Sequence, residues 1–212
     1  MTTDISARTA PSARGTVRRG DAPPVTGRRL LDGLLHVHPA VAAAVYGPLA
    51  AGAAVASAGR AEPWALAGWA GAGYVAWTLT EYWGHRLILH FEPERGLGAR
   101  LHYVVHGVHH DYPQDVRRSV LSPLLSVPMT AAAFATGRAL DLPPIFAAGF
   151  VTGYLLYDMC HLYLHHGRPR NRLLRGLRSR HMRHHHRDDS RGFGISAPYW
   201  DALFGTSVRR GR

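Results

Sequence analysis

Residues 142–166 read LPPIFAAGFVTGYLLYDMCHLYLHH, and this stretch decides the architecture. From Leu142 to Tyr157 it carries no charge, and the apolar character extends through an aromatic run to Tyr163. A helix needs about 20 apolar residues, and at least about 17, to cross the hydrocarbon core of a bilayer. The stretch reaches that length if Asp158 and His161 sit near its end. His161 and His165 then stand four apart on one helix face, where the apolar run gives way to polar chain.

Three more uncharged stretches precede it: Pro39–Gly59, Pro63–Thr80 and Ser119–Gly137. The first two are joined only by Arg60-Ala61-Glu62, the last two by Arg138–Asp141. Each pair reads as a tight helical hairpin. Buried core helices of a soluble bundle are the alternative, but four such stretches are unusual in 212 residues. The expected fold is all-α: an integral membrane protein with four transmembrane helices arranged as two hairpins under a cytoplasmic, histidine-rich helical cap.

Charge sets the orientation. The net charge is +11, and all 25 cations are arginine. Six lie in residues 1–30, five in the middle segment 81–118 and twelve in the tail 158–212, against one at each hairpin tip. Positive residues stay on the cytoplasmic side, so both termini and the middle segment are expected there. Residues 1–30, rich in Thr, Ser, Pro, Gly and Arg, are expected to form a disordered basic arm. Residues 31–206 are expected to form the membrane-embedded domain, and 207–212 a basic tail. No apolar stretch follows the start, so no cleaved leader is expected. The basic stretch Arg168–Arg180, with Leu173, Leu174 and Leu177 among its arginines, suits an anionic membrane surface. A nucleic-acid-binding role is compatible with the charge alone but not with membrane spans. A single cysteine, Cys160, excludes an intrachain disulfide and any multi-cysteine metal site.

Thirteen of the fifteen histidines fall in the two polar segments; only His36 and His38 lie elsewhere. His85 and His90 follow the second span. His106, His109 and His110 form an H-x-x-H-H set, as do His181, His184 and His185. Positions i, i+3 and i+4 share a helix face, so each set can point three imidazoles at one volume. His85 and His90 are about 140° apart on a regular α-helix; either the helix is distorted there or the two serve different metals. Ten imidazoles suit two ions rather than one, and neutral imidazole binds Fe, Zn, Cu and Ni. Structural zinc closes with four ligands, so a two-metal centre with open positions is the sharper reading. Glu81, Asp158, Asp111 and Asp115 are candidates to orient ligands through the second ring nitrogen. His102, His166 and His186 are left outside the ligand set. Arg86 and Arg118 are placed to anchor a carboxylate or phosphate, or to meet the lipid surface.

These motifs resemble the fatty acid 2-hydroxylase branch of the fatty acid hydroxylase/sterol desaturase superfamily. The resemblance rests on Glu81-Tyr82 with His85-Arg86 and His90-Phe91, and on His106 to Asp115 with Arg118. It continues through Tyr157-Asp158 with His161–His166 and through His181–His185. It ends with Gly192-Phe193-Gly194-Ile195-Ser196, Trp200-Asp201 and Phe204-Gly205-Thr206. It implies a membrane-bound di-iron monooxygenase in which O2 and two electrons convert a C–H beside an acyl carbonyl to C–OH. It also implies that the ligands are His85, His90, His106, His109, His110, His161, His165, His181, His184 and His185, with zinc able to occupy the site in preparations. No fused haem domain is expected, so the electrons are expected from a separate donor protein. Ser119 and Ser122 stand where close relatives have Leu and Pro, and His186 where Phe follows the last pair; these departures bear on the substrate. The substrate implied is a lipid acyl chain, with a carotenoid or sterol as the alternative within the superfamily. A non-redox metal-binding or transport protein is the alternative from another class. The all-arginine, Ala/Gly-rich composition points to a bacterial cytoplasmic membrane.

Overall fold

The computed structural model describes residues 20–209, and among these every regular element is helical. In chain order they are α1 (Arg29–Leu35), α2 (Pro39–Ser57), α3 (Pro63–Gly84), α4 (Gly96–His102), α5 (Val108–Asp111), α6 (Pro123–Ala139), α7 (Pro144–His166), α8 (Arg172–His186) and α9 (Tyr199–Leu203). α3 runs on into a π-helical turn, His85–Leu89, and a second π-helical turn, Tyr103–Gly107, joins α4 to α5.

The long helices start where local chemistry dictates. α2, α3, α6 and α7 each open on a proline in the first turn, where the missing N–H is no loss and φ is already helical. Ser122 caps α6 and Asn171 caps α8 through side-chain oxygens. Pro48 and Pro128 lie inside α2 and α6, a placement membrane helices tolerate. The hairpin tips turn at Gly59 (φ 71°) and Asp141 (φ 52°).

Among the described residues three helical runs are long and apolar enough to cross a membrane: Pro39–Ser57, Val116–Ala139 and Pro144–His166. The expected four-span count is therefore met by three on length and composition. α3 has 22 residues, about 33 Å of helix, but its sequence PWALAGWAGAGYVAWTLTEYWG dilutes apolar residues with Gly, Thr and amphipathic aromatics.

α7 is the central element, packed on α2, α3, α6 and α8. It meets α3 at very short range. A Cβ at Gly73 would fall on the Phe146 carbonyl, and one at Gly149 on that of Ala70. Small residues at a helix contact let backbones approach this closely. Around that contact Trp77 packs on Phe150, Tyr154 and Tyr157 at 5.2–5.6 Å, and Tyr154 meets Tyr46 of α2 at 4.8 Å. The result is a fixed bundle whose α3 and α7 ends lie side by side.

Residues 1–19 of the expected arm lie outside the described residues. From Gly20 onward the chain lies against the body. Ala22 is buried and its N–H donates to Asp115 (2.9 Å), while the N–H groups of Val25 and Thr26 donate to Asp32.

Gly149→Val should lower the melting temperature of the detergent-solubilised protein, since overpacking against a backbone carbonyl costs up to about 3 kcal/mol. Gly71→Ala, where the added methyl meets open space, should leave it unchanged. Equal melting of both variants would contradict the close α3–α7 contact.

Candidate metal centre

Ten histidines converge in two groups of five. Site A holds His85, His90, His106, His110 and His184; site B holds His109, His161, His165, His181 and His185. Within each group the ligand atoms lie within 4.8 Å of one another. The sites are neighbours: the rings of His110 (site A) and His185 (site B) stack at 4.2 Å.

The two H-x-x-H-H sets do not each serve one volume. In the first, His106 and His110 enter site A and His109 enters site B. In the second, His181 and His185 enter site B and His184 enters site A. The i, i+4 pair stays together because it superposes along the helix; the i+3 residue leans to the other side and reaches the adjacent site. Each set thus ties the two sites together.

The His85/His90 spacing is resolved by helix distortion. The His90 N–H donates to the His85 carbonyl at 3.0 Å, an i→i+5 bond that closes a π turn. The wider turn carries residue i+5 back over residue i, and the two Nε2 atoms come within 3.1 Å.

Neighbouring Nε2 atoms face each other at 3.0–3.1 Å in site A and at 2.7–3.2 Å in site B. The tautomer is set at three ligands by backbone carbonyls. Nδ1–H of His85 donates to Phe193 O (2.8 Å), that of His161 to Ser119 O (3.0 Å), and that of His184 to Arg191 O (2.7 Å). Their Nε2 atoms are then bare lone pairs aimed into the sites, and that of His184 is buried with no protein partner. Burial, reinforced by neighbouring imidazoles, holds His85, His106, His109, His110, His181 and His185 well below their ordinary pKa. They are neutral at physiological pH, the form a metal requires. The bare Nε2 atoms of His85 and His184 in site A and of His161 in site B point at volumes ringed by further neutral imidazoles, a donor set that fits a metal in each site. Five donors in each group exceed the four of a closed structural zinc site.

Among the described residues none of the four carboxylates hydrogen-bonds to any of the ten histidines. Glu81 accepts hydrogen bonds from the Ser196 N–H (2.8 Å) and hydroxyl. Asp158 accepts from Leu121 N–H (3.1 Å), Asp111 from the Tyr103 hydroxyl (3.1 Å), and Asp115 from Ala22 N–H and Arg117 N–H while facing His36 Nε2 at 2.8 Å. The groups that touch the ligand rings are the carbonyls of Ser119, Arg191 and Phe193. Residue type says nothing of a carbonyl's direction; the only sequence trace is the Gly192–Ser196 motif. His102, His166 and His186 lie outside both groups of five: His102 stands 3.9 Å from Glu92, and His166 meets the Ser119 hydroxyl at 2.9 Å. Arg118 donates to Leu35 O (3.2 Å) and Arg86 to the Tyr82 hydroxyl (3.0 Å), so both guanidinium groups have partners within the protein.

A helical membrane protein carrying two adjacent all-histidine metal sites at the ends of its helices defines a narrow class. Residues 70–206 match the family model described as fatty acid hydroxylase, and the chain belongs to that family. It is 36% identical over 137 residues to a dihydroceramide fatty acyl 2-hydroxylase of Arabidopsis thaliana, covering 63% of this chain and 58% of that protein. It is 38% identical over 143 residues to the fatty acid 2-hydroxylase of Rattus norvegicus, covering 64% of this chain and 38% of that protein. The solved structure of full-length scs7p, in which only the hydroxylase domain is visible, superposes with a TM-score of 0.81 at 31% identity, over 89% of this chain and 73% of that one. The chain spans a little over half the length of the plant relative and under two fifths of the rat one.

The split of each histidine set is open to test. The double variant His106→Ala/His110→Ala should lose one of two bound metals. Adding His184→Ala should remove no more, and adding His161→Ala/His165→Ala should remove the second. Metal analysis per chain reads this out; loss of the second metal on adding His184→Ala would mean that each set serves one ion.

Proposed function

We propose that this chain is a membrane-bound di-iron oxygenase that hydroxylates a lipid acyl chain at the 2-position. The observation that carries it is the pair of five-histidine sites in a chain of the fatty acid hydroxylase family. The relatives' names add the 2-position and the fatty-acyl substrate class. The net reaction takes the acyl C–H, O2, two electrons and two protons to C–OH and water. A separate donor protein supplies the electrons.

An acyl C–H bond is too inert for side-chain acids and bases, and bound iron supplies the oxygen chemistry. The protein's own residues do the rest. The ten histidines named above bind the metals, and the carbonyls of Ser119, Arg191 and Phe193 fix the direction of three of them. Tyr157 lies parallel to the His161 ring at 5.9 Å and keeps that side of site B dry. Both sites sit at the ends of α3 and α7, so an acyl chain can arrive from the bilayer while its polar end stays at the surface.

The topology proposed is four spans, with α3 crossing beside α7 as the fourth. The membrane-embedded domain is 31–206, flanked by the basic arm and by the tail 207–212. The arginine distribution supports a cytoplasmic position for the sites and both termini, in a bacterial cytoplasmic membrane.

Hydrolysed acyl chains from a bacterial host expressing the protein should contain 2-hydroxy fatty acids by mass spectrometry, and these should be absent with His109→Ala. An iron-loaded, membrane-resident protein that, supplied with electron donor, yields no hydroxylated acyl chain would overturn the substrate assignment in favour of a carotenoid or sterol.

A further inference from the structure

Site A and site B are built differently. In site A, two of five ligands are oriented by one segment of chain: the Phe193 carbonyl receives His85 Nδ1–H and the Arg191 carbonyl receives His184 Nδ1–H. In site B no histidine hydrogen-bonds to that segment, although His181 borders the same cavity as Gly192 and Gly194; His161 takes its partner from Ser119, at the start of the second hairpin.

The segment is held from behind by one carboxylate. Asp201, buried, accepts the Phe193 N–H through Oδ1 (2.9 Å) and the Gly194 N–H through Oδ2 (2.9 Å). The Thr206 hydroxyl donates to Asp201 Oδ1 (2.8 Å) and meets the Tyr82 hydroxyl at 2.9 Å. The Gly192 N–H donates to the Thr206 carbonyl (2.9 Å), closing the loop. Gly192 lies between the two working carbonyls with φ 83°, a conformation L side chains rarely adopt, and a Cβ there would run into Val208. At the far end Ser196 is fixed to Glu81 of α3, four residues before His85. Backbone and side chains together form a strap anchored to the helix whose ligand it orients.

We propose that residues 191–206 are a positioning strap for site A alone, with Asp201 as its positioning residue. This rests on the two-metal reading above. A carboxylate that accepts two backbone N–H bonds and a hydroxyl holds the strap in one register. An amide in its place must turn an N–H donor toward one of those donors and leave it unpaired, at a buried position where such a loss matters most. The carbonyls of Arg191 and Phe193 then swing away from His184 and His85. Orienting partners of this kind typically govern metal affinity by about 10–100-fold. Site B, which does not use the strap, keeps its metal.

The test is a count of bound iron plus zinc per chain in the purified full-length protein, with helix content checked by circular dichroism. Wild type should hold two metals. Asp201→Asn should hold about one, with helix content unchanged. In a His161→Ala/His165→Ala background, Asp201→Asn should remove the remaining metal; in a His106→Ala/His110→Ala background it should remove none. Thr206→Val, which deletes one of the three bonds to Asp201, should weaken site A in the same order and serves if Asp201→Asn does not fold. Two metals retained in both variants, parallel loss of both metals, or the reverse dependence on background would each overturn the proposal. A wild-type chain with fewer than two metals would overturn the two-centre reading itself.

Discussion

Ten neutral imidazoles packed nitrogen to nitrogen, with no carboxylate among them, are the constraint on which this protein is organised. Ring nitrogens face one another near 3 Å, and burial leaves the bare Nε2 of His184 with no donor in the protein. A cation held among the rings would satisfy such lone pairs. Metal binding and folding of the cap are therefore coupled, because a converged set of this kind has no reason to exist in the unfolded chain. The crossing of the two H-x-x-H-H sets extends this coupling from one site to the other.

The bundle serves that constraint. α3 and α7 are held backbone to backbone at Gly73 and Gly149, and the aromatic cluster around Trp77 fixes their rotation. Their ends deliver His85 and His161 to adjacent positions. The π turn after α3 brings His90 over His85. α8 presents Leu177, His181 and His184 inward and Arg172, Arg175 and Arg180 outward, so one helix serves both the histidine groups and a basic surface.

Much of this was legible in the sequence. Helical spacing and apolar length identified the long helices but not their packing, since α2 and α3, read as a hairpin, each pack on α7 rather than on one another; the clustering of histidines near the ends of apolar stretches picked out the ten residues that the structure gathers. The allocation of His109 and His184 across sites was not legible. Positions i, i+3 and i+4 share a face, and only the approach of other helices decides which neighbour each ring meets. The five-residue gap from His85 to His90 signalled an anomaly without saying which kind. The residue types point to Glu81, Asp158, Asp111 and Asp115 as orienting groups, whereas the Nδ1 partners seen at His85, His161 and His184 are backbone carbonyls, whose direction is a property of the chain path. α3 parts from the four-span expectation: a helix that packs through glycine and aromatics along its length is less apolar than the three runs that meet the length and composition of a span.

The central claim is that each chain holds two metals, each bound mainly by imidazole. Metal-edge X-ray absorption on the membrane-purified protein, with metal quantified on the same sample, tests it most directly. The expected result is two metals per chain with nitrogen neighbours at about 2.0–2.1 Å and the multiple-scattering pattern of several imidazoles. A single metal per chain, or neighbours that are mostly oxygen, would contradict the account.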